Sequence, residues 1–229
     1  MKKIVILVLI YSFKYGYSQD RTSQDNLYNP TLIPEAREFY NKGTIAFENK
    51  KYVIAIQQFR KVISIDPKFT DSYDNLAVCF RRTNQLDSAI FYYNKSLKMY
   101  PKNRLALNNL GVAYIDNNQF DKAEETYKQS LGLNPNSIET DEAEIEYKGE
   151  PYYGLCRTYF YQNKFDLAIL NGEQAYNIWN VKLPLYASDA LYLVGLSYIK
   201  KGDKSNGLNN IKKAAKMGNY NAKDYLKNP

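Results

Sequence analysis

The sequence predicts an all-α fold, a right-handed solenoid of about five helix-turn-helix hairpins closed by a short C-terminal helix. Three series of residues predict it. Pro67, Pro101 and Pro135 stand 34 residues apart, as do Ala55, Ala89 and Ala123, and as do Gly43, Ala77 and Gly111. A fixed period of that length marks stacked supersecondary units, none of which can bury its apolar face alone. An apolar fraction of 45% against 24% charge is ordinary for a globular chain, and 229 residues are enough to enclose a core.

The first element is an address. Met1, Lys2 and Lys3 precede the apolar run Ile4 to Ile10, and Gly16, Tyr17 and Ser18 follow it. A basic start, a short greasy centre and small residues before the cut read as a secretory signal peptide over residues 1–18, cleaved after Ser18. A bilayer span takes about 18 to 20 apolar residues, and Lys14 interrupts this run at roughly half that. The first cysteine is Cys79, so a lipid-modified cysteine at the cut is excluded. The mature chain is therefore expected to be exported, periplasmic or extracellular, without a lipid anchor or a membrane span. Loss of Lys2, Lys3 and Lys14 lowers the formal charge from +7 to +4.

Residues 19–35 form a lead segment, and the hairpins follow. With Ala36 at the first place of the repeat, copies run over 36–69, 70–103 and 104–137. Phe39, Tyr73 and Leu107 take the fourth place, and Phe59, Tyr93 and Tyr127 follow the alanines by four residues. Tyr152, Leu155, Cys156, Tyr159 and Ala168 repeat the pattern after an extra 11 residues, giving a fourth copy at 149–182 behind an acidic insertion at 138–148. Leu191, Val194, Gly195, Tyr198 and Gly207 repeat it after an extra five, giving a fifth at 188–221. Both halves of each motif shift together, so the additions lie between hairpins. Small eighth-place residues let the two helices of a hairpin cross closely against the alanines. Asn84, Asn118, Asn163 and Gly202 sit at the turn inside each hairpin, where a left-handed backbone favours Asn or Gly. Asp87, Asp121 and Asp166 stand where the second helix begins and are expected to cap its free amides. Residues 219–227, with Tyr220, Ala222, Tyr225 and Leu226, form the closing helix.

Aromatic, small, aromatic, then alanine, aromatic and proline at these intervals resemble the tetratricopeptide repeat, and with the signal peptide the chain resembles secreted bacterial members of that family. The fourth copy departs in Gly172 and Asn180, where an aromatic and a proline are usual. The fifth departs in Gly207, Ile211 and Asn219. The resemblance implies that first helices line a concave groove, with the second, fifth, ninth and twelfth places pointing into it. Those places include Arg37, Tyr40 and Phe47, then Asp71, Asp74 and Arg81, then Asn108, then Tyr153, Arg157 and Phe160, and last Tyr192. Asn75 and Asn109, at the sixth place, resemble asparagines that hold a peptide backbone in family members. The lysine-rich clamp by which chaperone-binding members grip a carboxylate is unmatched, because Tyr40 and Thr44 occupy its places.

Composition narrows the function. The chain has no histidine, which removes Ser-His-Asp and Cys-His nucleophiles, histidine-ligated metals and the usual proton carrier near neutral pH. Cys79 and Cys156 cannot make a four-sulfur metal site. Two repeats apart, they lie too far from each other for a disulfide and are expected as buried thiols. Acidic pairs such as Asp71 and Asp74 exist, but stacked hairpins imply no enclosed pocket for catalysis. No catalytic residue, metal or cofactor is expected. Aromatic and arginine side chains interleaved with apolar ones suit a protein-contact surface. The expected function is a non-enzymatic interaction module or scaffold of the cell envelope that binds a peptide or helix of a partner protein, with no nucleic-acid role. A second reading comes from charge. Six acids against Lys148 make residues 138–150 a net −5, and eight lysines against Asp203 and Asp224 make 200–229 a net +6. Those opposed blocks suit self-assembly as a structural component without a groove ligand. The oligomeric state is left open.

Overall fold

A computed structural model describes residues 33–133 and 141–227. The signal peptide, nearly all of the lead segment and the start of the acidic insertion lie outside the described residues. Eleven helices and no strand occur among the described residues. The hairpins are α1 (Pro34–Glu48) with α2 (Tyr52–Ile65), α3 (Thr70–Arg82) with α4 (Leu86–Met99), and α5 (Arg104–Asp116) with α6 (Phe120–Leu131). They continue as α7 (Asp141–Tyr161) with α8 (Phe165–Trp179) and α9 (Pro184–Lys201) with α10 (Lys204–Lys216), and α11 (Tyr220–Lys227) closes the stack.

Each helix packs on the next in sequence, and the first helices of successive hairpins also meet, α3 with α5, α5 with α7 and α7 with α9. This row of first helices is the one expected to line the inner face. The repeated small and aromatic places explain the packing. Ala55, Ala89, Ala123 and Ala168 are fully buried. A side chain at Gly43 would meet the Phe59 ring at 2.6 Å, one at Gly111 the Tyr127 ring at 2.5 Å, and one at Gly195 the Ile211 side chain at 2.7 Å. The eighth place is thus small because a large side chain of the second helix, Phe59, Tyr127 or Ile211, lies on it. In the fourth hairpin, where Gly172 removes that side chain, Val194 and Cys156 fill the space.

The turns inside the hairpins follow the expectation from Asn and Gly. Asn84, Asn118 and Asn163 have φ of 59°, 56° and 58°, and Gly202 has 99°. Lys50 holds the same turn in the first hairpin at φ 57° without the help of either residue type. The capping expectation is corrected. The residues at the second-helix caps are Gln85, Gln119 and Lys164, none with a side-chain cap, and Asp87, Asp121 and Asp166 lie one step inside the first turn. Their carboxylates turn away from the helix to the following hairpin. Asn117 donates to Asp87 at 3.1 Å, Gln162 donates to Asp121 at 2.8 Å, and Lys201 pairs with Asp166. The three aspartates form a ladder between repeats and still favour the positive end of their own helix.

The additions between hairpins extend first helices. From Asp141 the chain is already α7, and from Pro184, whose ring suits the first helical turn, it is α9. The longer α7 covers Trp179, which is 1% exposed and donates its indole N–H to the Ile145 carbonyl at 3.2 Å. Gly149 leaves room for that ring, and Tyr153 and Tyr186 flank it with centroids 5.8 and 5.3 Å away. The last hairpin is closed by Asn219, which accepts from the Ala222 amide at 2.8 Å and so caps α11.

Candidate functional site

The inner face is built by α1, α3, α5, α7 and α9. Of the candidate residues, Arg37 on α1 alone is exposed among the described residues. Tyr40, Phe47, Asn75, Arg81, Tyr153, Arg157 and Tyr192 are half-buried, and Asp74, Asn108, Asn109 and Phe160 are buried. Much of the row is thus engaged between repeats. The Asn75 amide donates to the Tyr40 hydroxyl at 2.9 Å, and the Tyr40 ring packs edge-on to Phe69 at 4.9 Å. Asn108 donates to Glu150 at 2.8 Å and accepts from Ser130 at 2.6 Å. Phe160 packs against Tyr161 and Phe165, and Phe47 against Tyr52. The sixth-place asparagine has no counterpart in the fourth hairpin, because Gly154 takes that place and lies on the Tyr127 ring.

Charge on this face comes in three groups. At the centre Arg81 pairs with Asp116 at 3.3 Å, its own side chain 8% exposed. Burial works against the charge of Arg157, but the Tyr153 and Tyr127 oxygens and the Asp116 carboxylate outweigh it and push its pKa up. Burial raises both tyrosines well above the ordinary phenol range. Toward the N-terminal end stand two carboxyls, Asp71 and Asp74, one turn apart on α3. Burial is the main cause that pushes each to about 7. Toward the C-terminal end burial raises Asp189 to about 6, against the Asn219 amide that donates to it at 2.6 Å.

Both thiols are free and buried, and burial pushes Cys79 up to about 12 and Cys156 further still. A protonated, enclosed thiol is a small apolar filler and not a nucleophile. No cluster among the described residues could hold a metal ion, and no described helix is long and apolar enough to cross a membrane. The sequence reading named Asp74 but passed over the partner that orients it. Asn103, at the head of α5, donates to Asp74 at 2.8 Å while accepting from the Ala106 amide at 3.0 Å. An asparagine one residue before a helix was the available signal.

Models of the tetratricopeptide repeat match residues 36–69, 70–103 and 105–137. No curated protein matches the chain significantly. Solved structures similar in fold include MamA, at 21% identity and TM-score 0.65, covering 82% of this chain and 94% of that one. PilF of Pseudomonas aeruginosa is 17% identical with TM-score 0.66, covering 80% and 77%. BtubC (BKLC) from P. vanneervenii is 17% identical with TM-score 0.67, covering 84% and 81%.

Proposed function

The chain belongs to the tetratricopeptide repeat family, and from that premise we propose that it is a non-enzymatic interaction scaffold of the cell envelope whose inner face takes a peptide or helix of a partner protein. The family's repeats serve as protein-interaction modules, and the observation that carries the finer reading is the inner row itself. It offers an exposed arginine, half-buried aromatics and charged groups set on a rigid helical frame, the composition of contact surfaces. Export rests on the N-terminal sequence pattern.

A photo-crosslinking amino acid placed in turn at Arg37, Tyr153 and Tyr192 on the inner row, and at Val53 and Leu170 outside it, tests the reading in intact cells. Val53 is 64% and Leu170 54% exposed, so these report on the outer surface. Adducts with one protein from the inner sites and none from the outer sites are expected. The reverse pattern removes the inner-face reading. Self-assembly is favoured by one observation, the exposed lysines 204, 212, 213, 216, 223 and 227 along α10 and α11. Native mass spectrometry across a salt series decides it, since a monomer at every ionic strength excludes charge-driven assembly.

A further inference from the structure

Two carboxyl groups on α3 lack the partners that buried charge requires. Asp71 and Asp74 are three residues apart in a helix and therefore share a face. Asp74 is 8% exposed; its Oδ2 accepts from Asn103, while its Oδ1 is sealed from solvent and has no hydrogen-bond partner. Asp71 is half-buried, and its Oδ1 is likewise sealed and without a partner. Behind them Ser96 of α4 is fully buried and its hydroxyl, which acts on Asp74, completes no hydrogen bond of standard geometry. The place thus holds three unsatisfied oxygens, one of them on a side chain outside the acidic pair.

The surroundings do not supply the missing charge. From α4 the pair meets the Ser96 hydroxyl and from α5 the Asn103 amide. Asp66, at the end of α2, acts on Tyr73 and not on the pair, and Tyr40 of α1 is occupied by Asn75. Among the described residues neither carboxyl forms an ion pair, whereas Arg81 and Arg157 on the same row are answered by Asp116. A carboxylate buried without a counter-charge is among the costliest groups a fold can keep. A cation arriving from outside removes that cost.

We propose that Asp71 and Asp74 form a subsite for one cationic side chain, a lysine or arginine, of the peptide bound along the inner face. The inference rests on the inner-face reading and adds a specificity to it. A metal ion is the weaker fit, because Ca²⁺ takes six to eight oxygen ligands and the third neighbour, Asn103, turns its amide nitrogen toward the pair. A guanidinium or ammonium needs few acceptors, brings its own donors and carries an apolar stem suited to a half-buried entrance. Asp71 is the more exposed member and Asp74 the deep one, so the cation pairs with Asp71 and offsets the charge of Asp74 behind it. Because burial raises both groups to about 7, bound cation and bound proton compete, and affinity rises with pH across neutrality.

The test starts from phage-displayed dodecapeptides selected on the full chain at pH 8 and located on the protein by chemical-shift perturbation. Each winner is synthesised with its lysine or arginine and with norleucine or citrulline instead, and binding to wild type and Asp71→Asn is followed by fluorescence anisotropy. The charged peptide is expected to bind wild type about tenfold or more tightly than its neutral twin. Asp71→Asn should erase that difference and leave the neutral peptide unaffected, and for wild type the difference should shrink from pH 8 to pH 6. Peptides that perturb the inner row but bind equally well without their charge overturn the subsite and leave the inner-face reading standing. A charge preference undiminished in Asp71→Asn overturns it as well, with Asp74→Asn as the second variant should the first not fold. Peptides that perturb only outer helices, or no selected peptide at all, remove the inner-face reading and the subsite with it.

Discussion

Lys50 is the residue whose backbone and side chain disagree most openly. It sits at φ 57° in the turn where the later hairpins use Asn84, Asn118, Asn163 and Gly202. A left-handed backbone costs a side chain with a bulky Cβ substituent about 1 to 2 kcal/mol, a cost that Asn offsets locally and Gly does not incur. Lys50→Asn is therefore expected to stabilise the protein by about 0.5 to 1 kcal/mol, read as a higher urea midpoint at unchanged slope. The opposite sign is expected at the eighth place. In Gly111→Ala the new methyl group meets the Tyr127 ring, and because Gly154 of the next hairpin presses on that same ring, Tyr127 has nowhere to retreat. A loss of about 1 to 3 kcal/mol is expected in the same urea experiment. Gly132→Ala is the control, since its Cβ would make ordinary contacts at 3.4 and 3.6 Å.

Between helices, the aspartate ladder shows what a repeat pattern tells and what it hides. The repeat pattern, with its 11-residue addition before the fourth copy, places Asp87, Asp121 and Asp166 at the start of the second helices, because hairpin length and turn chemistry are local. It could not show that their carboxylates serve the neighbour, because the register between hairpins depends on where Asn117, Gln162 and Lys201 come to rest after stacking. The small and aromatic places were legible for the same local reason. Trp179 was not, since the partner it requires, the early part of α7, bears no trace of the repeat. On the inner face the pattern found the row but not its internal bonds, such as Asn75 with Tyr40 and Asn108 with Glu150, which join residues 35 and 42 apart. A double-mutant cycle on Asp121→Ala and Gln162→Ala tests the ladder. A coupling of about 0.5 to 1 kcal/mol is expected for this exposed hydrogen bond. Additive losses would show that the aspartates act only on their own helices.

At the scale of the whole molecule the buried carboxyls set how stability depends on pH. Asp71 and Asp74 titrate near 7 and Asp189 near 6 in the folded chain, each raised first by burial, against an ordinary value of 3.8. Between those limits the folded protein holds protons that the unfolded chain has released. Stability contributed by these groups is complete below pH 3.8 and is lost as pH climbs through 6 and 7, after which it changes no further. Glu38, Glu124 and Asp203 act with the opposite sign, their values lowered, Glu38 and Asp203 chiefly by hydrogen bonds and Glu124 by its bonds to Lys128 and Tyr159 in spite of burial. They are already ionised above about pH 5 and do not contribute to the slope there. Calorimetry is therefore expected to give a higher Tm at pH 5 than at pH 8. Asp74→Asn, which keeps an oxygen for the Asn103 amide and removes the charge, should raise the Tm at pH 8 and flatten the dependence. A flat profile in the wild type would show that the pair is already satisfied. A steep profile that flattens when a lysine-bearing peptide is added would show the cation supplying from outside what the fold leaves out.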